Sequence, residues 1–199
     1  PEAIQVLWVR SHRQAMMKRF GISVFLLLGV TVSALGFVYS GLYPIGADSR
    51  HNALTFWLLE TLRTRSIQRA SANIQVPSLD NPKMLLQGGA DYDQMCAACH
   101  LKPGQTKSDL SIGLYPAPPN LTLSSEEHGG SDLNNHDHNN HAERFWVIKH
   151  GIMASGMPAW GPGHDDDRIW AMVAFINRLP ELSEGQYQIL TAAKKSASH

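Results

Sequence analysis

"QMCAACHLKPG", Gln94 to Gly104, contains the only two cysteines of the chain, Cys96 and Cys99, with His100 directly after the second. Four chemistries compete for it. A disulfide joining the two thiols would close a loop too small to constrain the unfolded chain much. A thioredoxin-like dithiol sits in a βαβ setting, and nothing around this stretch reads as strand. Zinc would need a fourth ligand, and structural zinc sites pair two short ligand clusters. Haem c attachment employs all three residues at once. Each thiol adds across a vinyl group to form a thioether, and the same tether carries His100 to the iron. The disulfide and zinc remain the alternatives.

If iron is bound, it needs a sixth ligand. "GIMASGMPAWG", Gly151 to Gly161, offers Met153 and Met157 in one loop, with His150 and His164 at its ends. A thioether opposite an imidazole suits electron transfer and raises the potential relative to two imidazoles. Met157 is the expected ligand, because Gly156 and Pro158 hold it in a non-helical loop. Met153 then reads as a core methionine, a flexible gap-filler.

The elements around these motifs read as helices and turns. A helix starting at Pro82 with "PKMLLQGGADYDQM" delivers Cys96 at its end. The stretch Pro103 to Leu123 is rich in turn formers, with Pro116, Pro118 and Pro119 stiffening "GLYPAPPNLT". "SSEEHGGSDLNNHDHNNH" is polar; its His128, His136, His138 and His141 are either a metal-binding cluster or part of a solvated loop. "AERFWVIKHGI" returns to helical spacing, and "HDDDRIWAMVAFINRLPEL" starts with three aspartates suited to a helix N-terminus and stops at Pro180. "NALTFWLLETLRTRSIQRASA", from Asn52, has the apolar spacing of an amphipathic helix that also carries arginines 63, 65 and 69: a connecting helix packed against its own domain with solvated arginines or, as the alternative, one whose arginine face meets a membrane surface or a partner.

Upstream, "GISVFLLLGVTVSALGFVYS", Gly21 to Ser40, has no charged residue. As a helix it would span roughly 30 Å, the thickness of a bilayer's hydrocarbon core. The competing readings are a buried core helix, for which the run is too long, and a cleaved export signal, which would have a shorter apolar core and a small-x-small site that "GFVYSGLYP" does not offer. Arg10, Arg13, Lys18 and Arg19 precede the span and only Arg50 lies shortly after it. The positive-inside rule therefore puts the N-terminus in the cytoplasm and the cysteines on the far side, the periplasm of a bacterium. Pro1 is not an initiator residue, so the numbering is expected to begin after earlier sequence. Formal charge is zero overall, but residues 1–79 carry eight Lys/Arg and three Asp/Glu, against nine and fourteen in 80–199. The two ends are expected to meet different surroundings.

Taken together, "YDQMCAACH", "GLYPAPPNL", "GMPAW" and "IWAMVAFINRL" resemble a class I cytochrome c domain. The resemblance covers about Pro82 to Leu182. It implies an all-α, cytochrome c-like fold whose first and last helices cross around one covalently attached haem c, with His100 and Met157 axial. It implies that a proline carbonyl, that of Pro118, accepts the His100 Nδ1 hydrogen. Leu114, Tyr115, Trp160, Trp170 and Phe175 would shield the macrocycle. The expected organisation is a cytoplasmic segment 1–20, a transmembrane helix 21–40, a connecting segment 41–81 with its amphipathic helix, a haem domain 82–182 and a tail 183–199.

No nucleophile with a matched base, phosphate loop or paired acids appears, and a six-coordinate iron leaves no open position for substrate. The expected function is a membrane-tethered, mono-haem carrier of single electrons between membrane or periplasmic redox partners in the respiratory chain, with no nucleic-acid partner. The alternatives are a permanent haem c subunit of a larger membrane dehydrogenase or terminal reductase, and a haem or copper sensor.

Overall fold

The computed structural model describes residues 2–123, 141–153 and 155–192, with side chains from His12 onward apart from that of residue 15. Among the described residues the secondary structure is helical, with no strand. The chain divides into two compact units, Pro1–Gly46 and Ala47–His199.

The first unit is one helix, α1 (Glu2–Tyr39). It starts well before the uncharged run, so Gly21 marks a change of composition and not of backbone: no proline interrupts the helix on the N-terminal side. It ends where Ser40 folds back on the Gly36 carbonyl and Gly41 takes a φ of +66°, a left-handed conformation that glycine adopts freely. Its part from His12 to Tyr39 is long and apolar enough to cross a membrane, and none of its most apolar window is buried within the protein.

The second unit is built on the crossing of α3 (Pro82–Met95) with α7 (Asp166–Arg178), the most extensive contact between helices. Both are well capped. Asn81 accepts from the Lys83 N–H ahead of Pro82, and Asp165 accepts from the Arg168 N–H. Two consecutive glycines in the middle of a helix each cost about 1 kcal/mol relative to alanine, so they need a packing reason. Here the reason is contact: a Cβ on Gly88 would overlap the backbone carbonyl of Ala171, and one on Gly89 would press on the Phe175 ring. The helices meet backbone to backbone at this point.

The core around the crossing joins Tyr92, Ile169, Met172, Val173, Phe175 and Leu179, all fully enclosed. Tyr92 packs on Phe175 with ring centroids 5.4 Å apart, and Tyr187 of α8 (Glu184–Ala192) closes the cluster edge-on to Tyr92. The Tyr187 hydroxyl donates to Asp93 at 2.8 Å, which pins α8 to α3. Burial raises the Tyr187 phenol above its usual range, and the bond to Asp93 adds to the shift.

The unit also holds the one-turn α5 (Asp109–Ile112) and two longer helices. α6 (His141–His150) lies against α7, where Phe145 stacks on Trp170 at 4.2 Å. α2 (Ala53–Ser71) packs on α6. Its N-cap is Asn52, its one acidic residue is the buried Glu60, and that carboxylate is paired with Arg63 one turn on. The helix following the apolar run is therefore part of the same compact unit as the cysteine-bearing helix.

Candidate haem site

Cys96 caps the end of α3 with its N–H on the Tyr92 carbonyl and at once opens the one-turn α4 (Ala97–His100). Cys99 and His100 both bond back to the Cys96 carbonyl, at 3.0 and 2.9 Å, so both thiols and the imidazole are carried on one turn. Both cysteines are free thiols, Cys96 buried and Cys99 half-buried. Burial, with help from the negative Asp91, pushes the Cys96 thiol up to about 12.

The chain leaves α4 through Leu101 at φ +70° and ψ 175°, a region that side chains rarely occupy, at a cost on the order of 1–3 kcal/mol. The neighbourhood over-determines it. Leu101 is buried, its N–H bonds the Ala97 carbonyl, and its own carbonyl accepts from the Tyr92 hydroxyl at 2.7 Å. The same hydroxyl reaches the His100 carbonyl at 3.2 Å. Tyr92, four residues before Cys96 on the same helical face, thus joins the core crossing to the turn that holds His100. Sequence reading passed over it, although its spacing from Cys96 was visible.

The His100 ring is fixed from the other side. Its Nδ1 lies 2.9 Å from the carbonyl oxygen of Pro119. A carbonyl can only accept, so Nδ1 carries the hydrogen and Nε2 carries the lone pair. Burial lowers the His100 pKa, and the bond to Pro119 works weakly against the shift, so the neutral, ligating form is favoured. The proline differs from the one expected: it is Pro119 and not Pro118. Leu121 N–H donates to the His100 carbonyl at 3.2 Å, and this pairing sets a register that brings the Pro119 carbonyl to the ring.

The methionine loop is clamped at its neck. Trp160 and Gly161 N–H groups bond the Ile148 and Lys149 carbonyls of α6, at 3.1 and 2.9 Å, and Ile152 N–H bonds the Met157 carbonyl. Glycine is required at both ends: Gly151 sits at φ +66°, where a Cβ would meet the Met157 and Pro158 backbone, and one on Gly161 would meet Lys149. Met157 and Trp160 pack against the core that includes Cys96. Met153 does the opposite of what was expected of a core methionine: it is 97% exposed. It stands at the loop's turn, outside the clamp, so no packing surface reaches it.

The remaining expected residues divide. Leu114 lies under the methionine loop, where a Cβ on Gly156 would be 2.8 Å from its side chain, so the proline loop and the methionine loop touch. Tyr115 turns to α2 and meets the rings of His51 and Phe56 at 5.8 and 6.3 Å. Trp170 and Phe175 are buried in the helix core. His164 donates from Nδ1 to the Trp160 carbonyl and lies edge-on to that indole. Of the histidine-rich insert, His128, His136 and His138 lie outside the described residues, and His141 is the first residue of α6.

The donor set fits haem c: two free thiols on one turn, an imidazole whose ligating nitrogen is fixed by a carbonyl, and a half-buried thioether in an apolar cluster. Fold and site together define a class I c-type cytochrome domain. More narrowly, residues 83–176 match the family described as cytochrome C oxidase, cbb3-type, subunit III. The match covers a little under half of the chain and assigns the domain as a haem c electron-transfer module. No curated protein and no solved structure matches the chain significantly.

Proposed function

We propose that the chain is a membrane-tethered, mono-haem carrier that passes single electrons between membrane or periplasmic partners and is not itself a catalyst. One observation carries this reading: Cys96, Cys99 and His100 share a single turn, with the imidazole tautomer set by Pro119. In it, Cys96 and Cys99 would hold the group through thioethers, and His100 Nε2 and Met157 Sδ would ligate its iron. Bound there, haem c supplies a one-electron ferric/ferrous couple. The chain's part is to keep both ligands in place in either state, which the clamped methionine loop and the Tyr92–Leu101 and His100–Pro119 bonds favour, and to exclude water with Leu114 and Trp160. The uncharged run 21–40, nearly all of it within the apolar helix stretch 12–39, anchors the domain in a bacterial inner membrane, N-terminus in the cytoplasm, with the compact unit that carries Cys96 as the periplasmic haem domain. Residues 184–192, expected to be part of a tail, belong to that unit as α8, because Tyr187 is buried in its core.

A second reading is favoured by the matched family, whose description names an oxidase subunit: the chain would be a permanent haem c subunit of a larger membrane oxidoreductase. Purification from native membranes in mild detergent separates the two. A carrier elutes alone with its haem, whereas a subunit co-purifies with fixed partners at constant stoichiometry. Haem stain retained on the polypeptide in a denaturing gel, and lost in Cys96→Ser with Cys99→Ser, tests the covalent attachment. A haem removed completely by acid-acetone would overturn it.

A further inference from the structure

We propose that α2 lies along the lipid–water interface of an anionic phospholipid bilayer, with Leu54, Trp57, Leu58 and Leu62 in the acyl boundary. The inference rests on the reading of 12–39 as a membrane anchor and goes beyond it. Leu54, Trp57, Leu58 and Leu62 form one stripe at helical spacing, and all four are more than half exposed, although the opposite face of the same helix packs on α6. Large apolar residues side by side on an outer face mark a contact surface, unlike single exposed leucines.

Three observations choose lipid as the occupant. Only 13 residues, 40–52, separate the end of α1 from the start of α2, so α2 cannot be farther from the end of α1 than about 45 Å even with the connection fully extended. The stripe continues toward the C-terminus with Arg65 and Arg69, both exposed, and the only acid of the helix, Glu60, is buried in its pair with Arg63. The outward face therefore carries positive charge and no negative charge. An apolar stripe flanked by arginines, with an indole at its edge, is the composition of a helix that lies in the headgroup region. Tyr115 rests on Phe56 of the same helix, so a docked α2 would also orient the loop that carries Pro119.

The test uses the full-length, haem-loaded chain in nanodiscs containing phosphatidylglycerol and a phospholipid with a photoactivatable diazirine in its acyl chain. Adducts are mapped by mass spectrometry after irradiation. Adducts on both 12–39 and Leu54–Leu62, with none on the comparably exposed Ile189, are expected. In Leu58→Asp with Leu62→Asp, both on the outer face, the α2 adducts should fall about tenfold while those on the span and the haem spectrum stay unchanged, because burial of the two leucines drives the contact. Adducts on the span alone would overturn the proposal and leave the anchor standing. Adducts on neither would overturn both. An α2 unlabelled by lipid in native membranes yet cross-linked there to another polypeptide would replace lipid by a protein partner.

Discussion

The guanidinium of Arg168 closes on the carboxylate of Asp91 through two hydrogen bonds, Nε at 2.6 Å and Nη2 at 2.8 Å, and so joins the first turn of α7 to the middle of α3. Asp91 is fully buried, five residues before Cys96, while the guanidinium keeps partial access to water. Removing one partner of a buried pair takes away the interaction that offset the desolvation of the other, at a cost of about 3–5 kcal/mol. Arg168→Leu should therefore lose several kcal/mol in urea unfolding of the haem-loaded protein. Arg168→Lys should recover only part, because an ammonium cannot make the planar two-point contact. Full recovery with lysine would show that the charge alone matters.

At the helix crossing, Gly88→Ala sets two effects against each other. Alanine favours a helix over glycine by about 1 kcal/mol. Against this, the new methyl would meet the Ala171 backbone, which cannot turn aside as a side chain can. Overpacking of that kind costs about 1–3 kcal/mol or more and moves the two helices apart. A net loss of stability is expected, with a weaker haem spectrum as Tyr92 shifts from Leu101. A gain in the unfolding midpoint would contradict the backbone-to-backbone contact of Gly88 with Ala171.

Much of the site was legible in the sequence because covalent and coordinating chemistry demands particular residues in order. Cys96, Cys99 and His100 can be read one residue at a time, and the apolar spacing of α7 and of α2 needs no tertiary information. What escaped reading depends on contacts between distant segments. Pro118 and Pro119 are adjacent and equivalent by composition, and only the pairing of Leu121 with His100 selects between them. Met153 and Met157 differ in burial because the clamp formed by Gly151, Trp160 and Gly161 encloses one and leaves the other outside. That α2 packs against its own domain was legible from its apolar spacing, but its partner there, α6, was not.

That difference between the methionines gives a paired test. Met157→Ala should abolish the thioether-to-iron absorption band, admit carbon monoxide or imidazole, and lower the potential. Met153→Ala removes a side chain that touches almost nothing, so stability should change by less than about 0.5 kcal/mol and the spectrum should not change. Exchange of these two outcomes would transfer the ligand assignment to Met153.

Truncation separates what the anchor contributes from what α2 contributes. Removing residues 1–46 deletes one compact unit and none of the contacts within the other. The haem-loaded 47–199 fragment, exported with a cleavable leader, should keep the spectrum and unfolding midpoint of the full chain. Its electron transfer with membrane partners should become steeply concentration-dependent, because the tether's effective concentration is lost. Removing residues 1–79 also strips α2 from α6 and uncovers Tyr115, whose ring rests on His51 and Phe56. Since Tyr115 lies in the loop that ends at the Pro119 carbonyl, this shorter fragment should unfold at lower urea and hold the His100 side of the haem less firmly. Pulsed hydrogen exchange across 113–121 should rise in 80–199 and not in 47–199. Equal protection in the two fragments would mean that α2 packs against the domain without supporting the site.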